Sequence, residues 1–394
     1  MHLERVWADG FRNLSGVELL PHVRFNIVEG DNGQGKTNLL EAIYLLAGLR
    51  SFRTTRLAEC VRFDQDRAEV ACRVVRRGVA SDLGMELGGR RTGSGPRSKV
   101  WVDGKVASRA TDYLGRLVVV LFTPDHLRLP FGEPDARRRY LDRALFNHQA
   151  GWLATLRRYD RTLSQRNALL RAVSAGDADR TMLAVYDELL ATAGAEISFG
   201  RASFAAELSE GVAAEFSAFA APGLVAALSY KARGAITAGM DEAARKDALL
   251  GGLADKLDLD LRRGYTSMGP HLDDLVLTID GRPARVHASA GQCRALVLAM
   301  KIAEIRSLER HLGEPPVLLM DDVSSELDAD RNQALMAHLD ALGGQVFLTT
   351  TDAAFIRLTA PRQVVRIRGG ELDSSPSPSA STDSPAGDDP GSMA

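Results

Sequence analysis

The sequence is poor in cysteine: Cys60, Cys72 and Cys293 are its only three, far apart and without paired spacing. That argues against a disulfide framework or a cysteine-built metal site and fits a reducing, cytoplasmic setting. Long hydrophobic runs are missing too. No stretch reaches the about 20 apolar residues of a membrane span, and the start, "MHLERVWADGFRNL", has no apolar core of signal-peptide length. Neither sign of charge dominates, with a formal net charge of −2. Any grip on nucleic acid must therefore come from local basic patches. No internal repeat is present.

The 394 residues allow two domains. Residues 1–130 mix strand and helix, with "VRFNIV" (23–28) and "LVVVLF" (117–122) as strands and a hairpin at Asp103-Gly104. From 131 to 263 the texture is helical, with leucines such as Leu141, Leu145 and Leu153 among Arg, Gln and Ala, and breaks near Gly176 and Pro222-Gly223. Strands return in 264–371, with a second hairpin at Asp280-Gly281, then "PVLLMDD" and "QVFLTT". The arrangement predicts an α/β unit that a helical insertion interrupts. Residues 372–394, rich in Ser, Pro, Gly and Asp, read as a disordered acidic tail.

"GDNGQGKTN" carries the clearest chemistry. Gly30, Asp31, Asn32, Gly33, Gln34, Gly35, Lys36, Thr37 and Asn38 follow a strand and open a helix, the context a phosphate loop requires. Its glycines let backbone N–H groups turn toward phosphate oxygens at a helix N-terminus. Lys36 then reaches the terminal phosphates and Thr37 ligates Mg²⁺. No Asn-Lys-x-Asp stretch is present, which argues against a guanine nucleotide. Later, four apolar residues run directly into Asp321 and Asp322. In a phosphate-loop protein the first acid holds Mg²⁺ and the second falls where a general base acts on water. Aspartate is shorter than glutamate, so slow hydrolysis is expected.

"HASAGQCRALVLAMKIAEI" places Ser289, Gly291 and Gln292 at the start of an apolar helix. Alone it reads as a helix cap. Before the acid pair, it is similar to the signature of ABC ATPases, which meets the γ-phosphate held by a second subunit. Ser325 and Asp328 in "SSELD" are likewise similar to the D-loop of those enzymes. A small-molecule kinase leaves both segments unexplained.

Taken together, "FRNL", "GDNGQGKTNLLEAIYLL", "RSFRT", "FTPDHLRL", "RRRYLD", "GPHLDDL", "SAGQ" and "LLMDDVSSELD" resemble the RecF family of bacterial recombination mediators, relatives of SMC-type ABC ATPases. Phe52 and Leu272 stand where that family commonly has His and Arg. The resemblance implies an α/β head of ABC-ATPase type, with a mixed phosphate-loop sheet and an antiparallel subdomain, interrupted by a helical second lobe. It also implies ATP and Mg²⁺ as cofactors, ATP-dependent homodimerisation and weak, DNA-stimulated hydrolysis. The implied partners are double-stranded DNA beside single-stranded gaps, RecR and RecO, and functionally RecA, in replication, repair and the SOS response. By likeness to strand-end segments of related ATPases, Arg12 and Asn13 are candidates for base or ribose contacts. Arg50, Arg53 and Arg56, with Arg137, Arg138 and Arg139, are candidates for DNA phosphates. Two rivals remain: an SMC-like chromosome-organising ATPase, whose coiled coil would be far longer, and a transporter ATP-binding subunit, whose loop and signature lie much closer together.

Overall fold

The computed structural model describes residues 1–88, 98–220, 223–322 and 327–373. β1 (His2–Asp9) and β2 (Val17–Leu19) open an antiparallel sheet, and β3 (Phe25–Glu29) leaves it to deliver the glycine loop to α1 (Lys36–Gly48). The chain returns through β4 (Arg67–Arg76), β5 (Val79–Gly88), β6 (Lys99–Val102) and β7 (Lys105–Val106), completing a six-stranded antiparallel sheet. α2 (Ala110–Tyr113) leads to β8 (Val119–Phe122). Then come α3 (Pro134–His148), α4 (Trp152–Ala175), α5 (Leu183–Phe216), β9 (Ala226–Lys231) and α6 (Glu242–Arg263). β10 (Asp274–Ile279), β11 (Arg282–Pro283), α7 (Ala284–His287) and α8 (Ala290–Leu312) follow. β12 (Val317–Asp321), α9 (Ala329–Ala341), β13 (Val346–Thr350), β14 (Arg362–Arg368) and β15 (Glu371–Leu372) finish the described chain.

The central sheet runs β15-β14-β3-β13-β12-β8, parallel except for β15. Its pleat divides the apolar residues between two cores, as a period of two demands. Val28, Val317, Leu319 and Phe347 face α1 and the antiparallel sheet, whereas Ile27, Leu318, Met320 and Leu348 face α8, α9 and the helical segment. α1 is therefore wedged between two sheets, and that explains why it is buried almost throughout. No helix among the described residues is long and apolar enough to cross a membrane.

Both hairpins form where expected, with Asp103, Gly104, Asp280 and Gly281 all at positive φ. α6 ends at Arg263, where the head was expected to resume, but the two segments share one core. β9 pairs with β10 across that point, and α5, about 50 Å long at 1.5 Å per residue, packs on both α4 and α8. β9 was not foreseen: in "AALSYK" only Ala226 and Leu228 are buried, too short an alternation to stand out. The expected tail lies outside the described residues from Ser374 on, while Leu372 belongs to β15.

The basic cluster on α3 is not the exposed phosphate-binding patch that its sequence suggests. Arg137 is buried, and its guanidinium makes two 2.8 Å bonds to the Asp274 carboxylate plus bonds to the Leu129 and Gly132 carbonyls at 3.2 and 2.6 Å. It ties α3 to β10 and is too buried to serve as a DNA contact. Arg138 is also engaged, donating to the Asp273 carbonyl at 2.7 Å. Arg139 is exposed and pairs with Asp135. Breaking the buried pair by Arg137→Ala is expected to lower unfolding stability by about 3 kcal/mol. Urea denaturation checks this, and an unchanged midpoint would contradict it.

Candidate nucleotide site

β3 ends in the sheet interior and α1 begins at Lys36, so the six residues between them form a turn over a helix N-terminus. Gly35 has φ 120° and caps that helix; a Cβ there would lie 2.9 Å from the Asn13 side-chain oxygen. Its conformation and its space both require glycine. The first turn of α1 contains no acid, so its N–H groups and dipole favour an anion. The Lys36 ammonium donates to the Gly30 and Asp31 carbonyls at 2.5 and 3.0 Å, held across the loop it serves.

Facing the loop, one carboxylate oxygen gathers two hydroxyls. Thr37 Oγ1 donates to Asp321 Oδ1 at 2.8 Å, and Thr349 Oγ1 donates to the same atom at 2.9 Å. Thr349 Oγ1 also accepts the Asp322 N–H at 2.9 Å, and Asp322 has a left-handed φ of 47°. The fold thus juxtaposes Thr37, Asp321 and Asp322 as anticipated, and it brings Thr349 of the "TTTD" strand end into the same cluster.

The back of the loop is braced by residues that the sequence only partly reveals. Asn13 Nδ2 donates to the Gln34 carbonyl at 3.1 Å, and its oxygen accepts from Asn38 at 2.7 Å. The Gly370 N–H also reaches the Gln34 carbonyl, at 2.9 Å, and the Gly369 N–H bonds the Gln34 side chain at 2.6 Å. Arg12 points elsewhere: it makes bonds of 3.0 and 2.6 Å to Glu41 on α1, and one of 2.9 Å to the Glu59 carbonyl. Glu41 is fully buried and also accepts from Ser51 at 2.5 Å and Arg53 at 3.5 Å. Burial pushes the neighbouring Cys60 thiol up to about 11, so it stays protonated beside Glu41. The signal for Glu41 was available: a lone acid in the apolar run "LLEAIYLLAG". Nothing comparable marked the Gly369-Gly370 turn.

At α8 the Ser289 hydroxyl accepts the Gln292 N–H at 3.2 Å, and Gln292 returns a bond to the Ser289 N–H at 2.8 Å. Ser289 is exposed at that helix end. Arg331 of α9 lies against Gly291, where a Cβ would stand 2.9 Å from Nη2, and pairs with Asp328, the cap of α9. Arg331 therefore links the two segments likened to signature and D-loop. Ser325 lies outside the described residues. Arg50, Arg53 and Arg56 are exposed, although Arg53 also bonds Asn38 at 2.7 Å. Although its surface is exposed, partial loss of surrounding water, and secondarily the like charge of Arg157, pulls the Arg50 guanidinium below its usual value.

The profile described as RecF/RecN/SMC N terminal domain matches residues 2–371. The chain belongs to this family. Within it, the chain is 44% identical over 377 residues to the DNA replication and repair protein RecF of Myxococcus xanthus, covering 94% of this chain and 97% of that one. It is 39% identical over 361 residues to the RecF of Geobacter sulfurreducens, covering 91% and 95%. A solved structure of the recombination mediator protein RecF-ATP in the RecFOR pathway superposes with a TM-score of 0.85 at 30% identity, covering 94% and 97%. The Smc head of Pyrococcus furiosus, at 14% identity and TM-score 0.52, shares the fold. These relatives place the chain in the RecF branch.

Gly370 has φ 89°, and a Cβ on it would lie 1.9 Å from the Asn13 carbonyl oxygen. Gly370→Ala is expected to displace the turn behind Gln34 and weaken triphosphate affinity about tenfold, equivalent to about 1.4 kcal/mol. Fluorescent-nucleotide titration checks it; unaltered affinity would contradict the bracing role.

Proposed function

We propose that this RecF-family chain is an ATP-dependent DNA-binding clamp of recombinational repair. ATP joins two copies on DNA at double-stranded regions beside single-stranded gaps, and hydrolysis releases them. With RecO and RecR it assists loading of RecA, in replication, repair and the SOS response. The observation that carries this reading is one chain bearing a complete phosphate loop with an adjoining acid pair, and an exposed, serine-capped helix end on α8. The likeness to RecF-ATP over most of both chains supports it.

Each residue has a separate task. Amides from Gly30 to Thr37 and the Lys36 ammonium bind the phosphates, Lys36 leaving the carbonyls that hold it now. Ser289, Gly291 and Gln292 of the second copy meet the γ-phosphate, where a helix N-terminus stabilises an anion. Asp322 orients and deprotonates water as general base. The Thr37 hydroxyl and Asp321 carboxylate are hard oxygen donors that suit Mg²⁺, and the described residues hold no cluster of three or more metal-ligating side chains. These oxygen donors fit a cation held by few carboxylates together with substrate phosphates. When bound, Mg²⁺ supplies neutralisation of phosphate charge. The short Asp322 side chain favours slow hydrolysis, which DNA accelerates. Arg50, Arg56 and Arg139 contact DNA phosphates, with Arg53 shared between DNA and the Asn38–Glu41 network.

Sedimentation velocity with ATP, ADP or no nucleotide tests the clamp. The expected outcome is a dimer with ATP only, lost in Ser289→Arg while ATP binding persists, and lost together with ATP binding in Lys36→Ala. A dimer indifferent to nucleotide would refute it. Combined Arg50→Ala, Arg56→Ala and Arg139→Ala substitutions are expected to weaken DNA binding equally across sequences, with the log–log salt slope falling by about 1 for each phosphate no longer neutralised. DNA titrations at several salt concentrations measure this, and an unchanged slope would place the groove elsewhere.

A further inference from the structure

Asp322 is not a glycine, yet its backbone lies in the left-handed region at φ 47°. Such a conformation persists only where the surroundings hold it. One bond that holds it runs 2.9 Å from its N–H to Thr349 Oγ1. A hydroxyl has one proton to donate, and Thr349 gives it to Asp321 Oδ1 at 2.9 Å. A carboxylate oxygen can only accept and a backbone N–H can only donate, so the direction of both bonds is settled. Thr349 is buried at 2% exposure, at the end of the otherwise apolar "VFL" of β13. Its Cα pairs with Asp321 on one side and Val28 on the other, so β13 stands between the strand that feeds the phosphate loop and the strand that ends in the acids.

The neighbouring threonines do something else. Thr350 Oγ1 donates to the Asp352 carbonyl at 3.0 Å and accepts the Asp352 N–H at 3.2 Å, a local turn at the strand end. Thr351 is exposed. Valine at 349 would fill nearly the same space but lacks the hydroxyl that both bonds use.

We propose that Thr349 is a positioning residue for ATP hydrolysis: its hydroxyl fixes the Asp321 carboxylate and the Asp322 backbone together, and thereby aims the Asp322 carboxylate at the attacking water. This rests on the reading of Asp322 as general base. Without the hydroxyl, the Asp322 N–H loses its acceptor and Asp321 keeps only Thr37 of the two hydroxyl donors. The phosphate-loop amides, Lys36 and the Thr37–Asp321 bond are untouched, so the loss falls on hydrolysis rather than on binding.

The test compares Thr349→Val, Thr349→Ser and wild type by ATP titration, ATP-driven dimerisation and single-turnover hydrolysis. Thr349→Val is expected to keep ATP affinity and ATP-driven dimerisation while hydrolysing at least about tenfold more slowly, within the range a misplaced general base produces. Thr349→Ser is expected to restore most of the rate. If the valine variant does not fold, Thr349→Cys against Thr349→Ser carries the same contrast, since a thiol is a poor donor of similar size. Wild-type hydrolysis in Thr349→Val or Thr349→Cys overturns the proposal, and so does a parallel loss of ATP affinity. Adding Thr349→Val to Asp322→Asn is expected to slow hydrolysis no further. An Asp322→Asn variant that hydrolyses normally refutes the base assignment. A slow Asp322→Asn with a normal Thr349→Val refutes only the positioning role.

Discussion

Two hydroxyls donate to a single oxygen of Asp321, and the three strands of the site are joined there. Thr37 brings the phosphate loop of β3 and α1, Asp321 brings β12, and Thr349 brings the intervening β13. Hydrogen bonds to a charged acceptor contribute about 1.5–3 kcal/mol each, so the cluster is held at a fixed geometry before any ligand arrives. Preorganised dipoles avoid reorganisation at the moment of reaction, which is where such sites derive their effect. The rest of the fold serves to keep these strand ends level: two packed cores clamp the central sheet from both faces.

Behind the loop a second polar layer connects the site to the surface. Asn13 and Asn38 bond each other and, through Asn13, the loop backbone, while Arg53 joins Asn38 to the buried Glu41. Glu41 in turn engages Arg12 and Ser51. An exposed basic segment and the phosphate loop are therefore parts of one network. A buried carboxylate with several partners is costly to leave half-satisfied, so Glu41 ties the 50–56 segment firmly to α1. The helical segment is coupled to the head differently, through α5 packing on α8 and the β9–β10 pair.

Much of this was legible in the chain itself. The phosphate loop, the acid pair and the serine-capped helix each have a local signal, because strand, glycine turn and helix cap are contiguous in sequence. Both Asp-Gly hairpins were legible for the same reason. What escaped was non-local. Arg137 sits in a basic run that looks like a surface patch, yet its partner Asp274 is far along the chain. Arg12 looks available for a nucleotide in the sequence, but its carboxylate partner lies on α1. β9 and the Gly369-Gly370 turn acquire their meaning from what they pack against.

A triphosphate shared between two copies underlies every role assigned to Lys36 and Ser289. The most direct measurement is an atomic structure of the assembly with ATP in place. The predicted result has Lys36 released from the Gly30 and Asp31 carbonyls onto the terminal phosphates, with Ser289 of the second copy within hydrogen-bond reach of the γ-phosphate. An ATP-bound assembly in which Ser289 faces solvent, or in which each nucleotide is enclosed by one chain alone, would contradict it.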